Sequence, residues 1–334
     1  MAYTTIDDPS AYFKVQLYTG TGSSLAVTFN DTDTDMQPDL VWLKVRNTTG
    51  HSQAFDASRG VTKVIYPSQT DPEGTVAESL KTFDSDGFTL GTSSYTNTSS
   101  NTYVAWCWKE SATSGFDIVT YTGNGSARTI SHSLSAVPHL MMIKHLESGD
   151  YDWRVYHHKN TSAPETDYLR INTTDQTTDS PEFNDTAPTS SVFSVGTTDG
   201  VNEDGQDFIA WLFTNIQGYS KFGSYTGNGL PDGPFVYTGF RPAYVMIKAY
   251  SGTSQDWKII DNKRSTYNVT AASLPTNSTA AELTSYNICD FTSNGFKIRS
   301  DRNEYNGAST YYYIYAAFAE APFVNSNGVP CNAR

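Results

Sequence analysis

Short apolar runs alternate with clusters of Gly, Pro, Asn, Asp, Ser and Thr along the whole chain. The runs VWL at Val41–Leu43, MMI at Met141–Ile143 and VMI at Val245–Ile247 are continuously apolar, which predicts strands covered on both faces or set in a sandwich core. Turn signals recur about every 8–12 residues, the spacing of an all-β sandwich or barrel. One stretch departs from this pattern: TVAESLKTF, Thr75–Phe83, has the look of an amphipathic helix.

The pattern itself repeats. YTGTG begins at Tyr18 and YTGNG at Tyr121 and Tyr225, intervals of 103 and 104 residues, and four landmarks follow each copy in the same order. The first is a proline with a lysine six positions later: PDLVWLK from Pro38 to Lys44, PHLMMIK from Pro138 to Lys144, PAYVMIK from Pro242 to Lys248. The second is an aromatic after a polar turn, aligned here as Phe55, Trp153 and Trp257. The third is anchored on Phe88, Phe193 and Phe296, and the last is a closing run beginning at Tyr103, Phe208 and Tyr313. Asn124-Gly125 and Asn228-Gly229 are strong hairpin signals, because both residues adopt positive φ at little cost, so the repeated phrase predicts a strand end and its turn. The proline of each PxxxxxK run suits a strand's first position, where its missing N–H breaks no ladder bond. The chain therefore predicts an all-β fold of three tandem β-sandwich, jelly-roll-like modules of about 100 residues each. The expected division is an arm at 1–11, modules at 12–112, 113–218 and 219–322, and a tail at 323–334. The connecting stretches are short, which predicts closely coupled modules, while each is long enough to fold alone. Arm and tail lie outside the repeats and are natural docking segments.

Composition sharpens this picture. Of the 334 residues only 37% are apolar, but 22 Tyr, 17 Phe and 6 Trp make the interior aromatic and favour pleated strands. A formal charge of −13 with no basic run argues against nucleic acid and anionic lipid as partners. No signal peptide or membrane-span-length apolar window is present in the sequence, so the expectation is a soluble protein made in a cytoplasm, without membrane insertion. Cys107, Cys289 and Cys331 are widely spaced and odd in number, which suggests neither a disulfide framework nor zinc; Cys107 reads as a small buried hydrophobe.

Candidate chemistry is sparse. Asp31, Asp33 and Asp35 alternate in DTDTD and could cup a hard cation, but the loop lacks the Gly and Glu of an EF-hand. Five of the six histidines, His132, His139, His145, His157 and His158, fall in the second repeat, without HExxH or HxH spacing; adjacent His157 and His158 are expected on opposite faces of a strand. The GTG and GNG glycines precede no P-loop lysine, and no GxSxG is present. Glu203 and Asp204 are adjacent acids without evidence of placement across a cleft. Trp153 and Trp257 recur at equivalent places, as core residues do, leaving Tyr95, Tyr151 and Tyr305 as surface candidates for sugar stacking. No residue is assigned a catalytic, cofactor-binding or metal-binding role, no cofactor is expected, and the chain is not read as an enzyme.

The phrases TIDDPSAYF, VWLKVRN with FDASRG, FDSDGFTLG, NTYVAWCWK, SHSLSAVPHLMMIK and YIYAAFAEAPFVNSNGVPCNAR resemble a protein type encoded by tailed bacteriophages, many of them marine. The resemblance covers nearly the whole chain. It implies a structural protein of the virion, often labelled a tail fibre or tail-associated protein, displayed outside the particle. Its implied partners are other virion proteins of the tail or capsid, a host-surface receptor and further copies of itself, with a trimer favoured. The sequence shows no heptads or short shaft repeats, so a capsid-decoration or head-fibre role stands as the alternative and a virion carbohydrate-active enzyme as a remoter one.

Overall fold

The computed structural model describes residues 2–29 and 34–332. It is almost wholly antiparallel β-structure, interrupted by short helices such as Ser94–Asn97, Asp199–Asn202 and Asn303–Asn306. Three large sheets carry the architecture. The first orders its strands Phe13–Thr19, Thr102–Trp108, Leu40–Val45, Gln53–Asp56; the second Phe116–Thr122, Asp207–Phe213, Leu140–His145, Arg154–His157. The third orders Ser220–Thr226, Tyr312–Pro322, Phe240–Ser251, Lys258–Asp261 and Leu274–Pro275. Each is backed by a smaller sheet, built around Leu25–Thr28 with Gly87–Leu90, Arg128–Ser131 with Val192–Val195, and Phe235–Tyr237 with Gly295–Ile298.

The continuously apolar runs follow from this layering. Along Leu40–Val45, successive side chains point to opposite faces: Leu40 and Trp42 enter one cluster, Val41 and Leu43 another. The second of these clusters fills the space between the large sheet and its small partner, and equivalent clusters around Phe193 and Phe296 do so in the other two segments. The first is shared. Trp42, Trp106 and Trp108, Trp153, Trp211 and Phe213, and Tyr244, Trp257 and Phe318 meet in one aromatic core drawn from all three segments. Trp42 lies 6.2 Å from Trp211, and Trp108 6.2 Å from Phe213 and 5.6 Å from Phe318, mostly tilted or edge-on. The low apolar fraction thus serves an interior whose largest cluster belongs to no single segment.

The seams between segments are alike and they close into a ring. Lys44, Lys144 and Lys248 are at most 1% exposed. Lys144 Nζ donates to Tyr151 O at 3.0 Å in its own segment and to Thr70 O at 2.6 Å in the first; Lys248 donates to Gln255 O at 2.5 Å and to Thr174 O at 2.8 Å in the second. Lys44 completes the cycle, donating to Gly50 O at 3.3 Å and to Ser278 O of the third at 2.5 Å. Backbone N–H groups of Glu73, Thr177 and Glu282 likewise donate to Leu146 O, Tyr250 O and Arg46 O at 2.7, 3.1 and 2.8 Å. The third seam, which no linker spans, is made by the same bonds as the other two.

Several expectations are corrected. Thr75–Phe83 holds no helix: it contains the end of a strand at Gly74–Thr75 and most of the strand Leu80–Asp84, which pairs with Gly87–Leu90, and a break in register between Leu80 and Thr82 lets both Leu80 and Phe83 join the core cluster. Pro38 and Pro138 precede their strands by two residues, whereas Pro242 lies inside Phe240–Ser251 at a break in register, where the ladder tolerates a missing donor. Strand register places Phe55 opposite Val41 as Tyr156 is opposite Met141, so the residue equivalent to Trp153 and Trp257 is Ser52. The indoles donate to Tyr66 O at 3.1 Å and Arg170 O at 2.8 Å in the preceding segment; Ser52 Oγ instead makes a longer bond to Thr276 O, 3.5 Å, one residue beyond the corresponding Pro275. Arm and tail find their neighbour within the chain: Tyr3 Oη donates to Gly239 O at 2.8 Å, Thr4 Oγ1 to Gln217 O at 2.7 Å, and Ser326 N to Asp7 Oδ1 at 2.6 Å.

Candidate functional site

The repeated YTGxG phrase builds the best-defined surface feature, one copy on each segment. Tyr18, Tyr121 and Tyr225 stack across the ladder on Tyr103, Phe208 and Tyr313, with ring centroids 5.0, 5.2 and 4.9 Å apart. Their hydroxyls donate to Thr96 O, Val201 O and Tyr305 O at 2.8, 2.7 and 2.6 Å, and burial raises the pKa of all three. The chain then passes from large sheet to small sheet through the glycines, a connection between layers and not a two-residue hairpin. A Cβ on Gly20, Gly123 or Gly227 would overlap the carbonyl oxygen of Thr98, Glu203 or Gly307. Gly22, Gly125 and Gly229 have φ of +72°, +66° and +67°, which side chains resist.

A buried asparagine locks each turn. Asn97 accepts from Thr21 N at 2.8 Å and donates to Ser23 O and Gly91 O at 2.6 and 2.7 Å. Asn202 accepts from Asn124 N at 3.0 Å and donates to Ser126 O and Gly196 O at 2.7 and 2.8 Å. Asn306 accepts from Asn228 N at 2.7 Å and donates to Leu230 O and Ser300 O at 2.7 and 2.9 Å. These asparagines recur in the sequence at spacings of 105 and 104 residues, a signal that sequence reading missed because the flanking residues differ. The side chains around the locked turns diverge: Tyr95 is 71% exposed beside the first, and Leu230 57% exposed on the third.

The sequence candidates scatter. Asp31 and Asp33 lie outside the described residues, Asp35 is exposed, and among the described residues no cluster of three His, Cys, Asp or Glu could hold a metal ion. His157 and His158 do not point to opposite faces; both reach the third segment, with Nε2 atoms 3.2 Å from Tyr315 O and 2.8 Å from Phe222 O, because the strand ends at His157. His139 packs edge-on against His158 at 4.4 Å. Burial lowers His157 to about 3 and His139 to about 4, so both are neutral seam residues at neutral pH. His145 is paired with Glu203 at 2.9 Å, and His132 is half-buried, its Nε2 3.2 Å from Thr189 O. Trp153 and Trp257 are buried core residues, and all three cysteines are free thiols, with burial raising Cys107. Tyr95 is exposed and Tyr151 half-buried, but Tyr305 is buried, its hydroxyl 2.9 Å from Ser273 Oγ.

One open groove of about 660 Å³ lies on the seam between the first two segments, with Glu73, Tyr121, Glu147 and Asp207 in its walls. At the other seams the corresponding residues form the Arg46–Glu282 ion pair at 2.9 Å and the Tyr250–Tyr312 ring contact at 6.2 Å. Leu146 stands where those seams have Arg46 and Tyr250.

Residues 8–322 match the profile of a family described as Domain of unknown function (DUF7483), and the chain belongs to that family. The single match spans all three segments. No curated protein matches the chain.

Proposed function

Starting from membership of that family, we propose that the protein is an externally displayed structural component of a tailed-phage virion, a tail-fibre or adhesin-like part that mediates attachment to the host. The observation that carries the reading is the set of three locked turns on one closed frame, alike in backbone and different in outward side chains. Rigid scaffolds presenting variable loops are the usual architecture of recognition surfaces. The sequence resemblance supports the phage assignment, and with it partners among virion proteins, a host receptor and a homo-oligomeric assembly with a trimer favoured. The role is mechanical, with no catalytic step.

A capsid-decoration role is the second reading, favoured by the compact closed ring and by arm and tail folded onto the body. Copy number separates the two. Quantitative mass spectrometry of purified particles with antibody labelling should find about a dozen to a few dozen copies at the tail; hundreds on the head would select decoration, from the point-group symmetry of each location. Absence from purified particles overturns both. Release of fragments from host polysaccharide by the purified chain would instead establish an enzyme.

A further inference from the structure

A second recess, of about 330 Å³, lies where the N-terminal arm meets the third segment. Tyr3 and Tyr237 form one wall, their hydroxyl oxygens 3.1 Å apart, and Tyr237 is 54% exposed. Asn215, Gln217 and Lys221 supply the polar side. Asn215 Oδ1 accepts from Phe222 N at 2.7 Å, which fixes the amide and leaves its Nδ2 free of described partners. The Gln217 side-chain amide and the Lys221 ammonium likewise have no hydrogen bond or ion pair to a described residue. Among the described residues no carboxylate lines the recess, although the chain carries a formal charge of −13.

The internal repeat supplies a control. One segment earlier, Glu110 Oε1 accepts from Ile118 N at 3.0 Å as Asn215 does from Phe222 N, so Glu110 holds the place of Asn215. Strand register sets Asp117 at the place of Lys221 and Ser131 at that of Tyr237. There the two acids share a hydrogen bond, and burial together with that bond pushes Glu110 up to about 7. The same backbone thus carries two carboxylates and a serine in one copy, and a cation, an amide and an exposed aromatic in the other. Both versions are held by the same backbone hydrogen bond.

We propose that this recess binds an anionic saccharide, a uronic or sialic acid unit whose ring packs on Tyr237 and Tyr3, whose carboxylate pairs with Lys221, and whose hydroxyls meet the Gln217 and Asn215 amides. The volume lies at the low end of the roughly 300–1,000 Å³ of small-molecule sites, enough for a short stretch of glycan. A desolvated tyrosine face suits the C–H surface of a pyranose, and an ammonium with free donors suits its carboxylate.

The proposal deepens the attachment reading by naming its ligand class, and a binding measurement on the purified full chain keeps the two separable, since particle location plays no part in it. Titration calorimetry with trigalacturonate, a hyaluronate tetrasaccharide and 3′-sialyllactose should give saturable binding to at least one acid, weakened by salt and by at least about tenfold for its neutral methyl ester. Lys221→Gln and Tyr237→Ala should each weaken binding by about tenfold or more with unchanged melting temperature, while Lys263→Gln at an exposed position elsewhere leaves it intact. No binding to any of the three acids, equal affinity for acid and ester, or unchanged binding by both recess variants overturns the proposal.

Discussion

Lys44, Lys144 and Lys248 each bury an ammonium against carbonyl oxygens of two segments, and desolvation lowers Lys44 to about 7 and the other two to about 8. The sign of the resulting pH dependence follows from proton counting. Between those values and the ordinary lysine value near 10.4, the unfolded chain binds more protons than the folded one, so stability rises with pH. The buried tyrosines act oppositely. Tyr18, Tyr121 and Tyr225 are raised, so above the ordinary value near 10 the unfolded chain loses protons first and stability falls. Urea denaturation across pH 6–11 should therefore show a midpoint that climbs from about pH 7, crests near about pH 10 and then declines. Lys144→Met would leave Thr70 O and Tyr151 O buried without a donor and should cost about 2–4 kcal/mol, read as a shifted midpoint at constant slope. Lys81→Met, at an exposed ion pair with Glu78, should change stability by less than about 1 kcal/mol.

At the scale of the element, the locked turn rests on two different demands for glycine. Gly20→Ala drives a methyl group into the Thr98 carbonyl, a backbone atom that cannot swing aside, and should destabilise the chain by about 2–4 kcal/mol. Gly125→Ala meets only ordinary contact with Asp204 and suffers chiefly from its φ of +66°, so about 1–2 kcal/mol is expected. Asn97→Ala should fall with Gly20→Ala, since it deprives Thr21 N, Ser23 O and Gly91 O of a shared partner. Chemical denaturation of the three variants checks the order. The turn also marks what the sequence could and could not disclose. Runs such as VWL announced strands covered on both faces because the two faces of one strand enter two cores. The Tyr and Gly of the phrase were legible because stacking and close approach hold them in place, whereas the asparagine lock lies 74–78 residues downstream and leaves no local pattern. Phe55 was misaligned with Trp153 because Ser52 replaces the indole there, and only strand register exposes the exchange. The saccharide recess was hidden for the same reason: Tyr3, Asn215 and Tyr237 meet through the path of the arm.

For the whole molecule, the shared core decides how the chain unfolds. Residues 113–218 alone would expose Trp153, Trp211, Phe213 and the rest of their inward face to water, so the expectation that each repeat folds alone gives way to one cooperative unit. Calorimetry of the full chain should give a single transition with equal calorimetric and van't Hoff enthalpies, and the excised 113–218 segment should aggregate or stay unfolded. The ring makes a stricter demand. The seam between the third and first segments holds with the same lysine and backbone bonds as the two that are covalently bridged, so the bridges are not what keeps the ring closed. Asp7 and Ser326 are already hydrogen-bonded, so a short linker can join the ends without moving either. A circular permutant with the ends joined that way and the chain opened between Ala112 and Thr113, an exposed turn, should fold with a melting temperature within a few degrees of the parent. Opening the chain between Leu43 and Lys44 instead severs a strand that faces both cores and detaches a seam lysine, and should abolish folding. If the first permutant fails like the second, the bridges and not the seams close the ring.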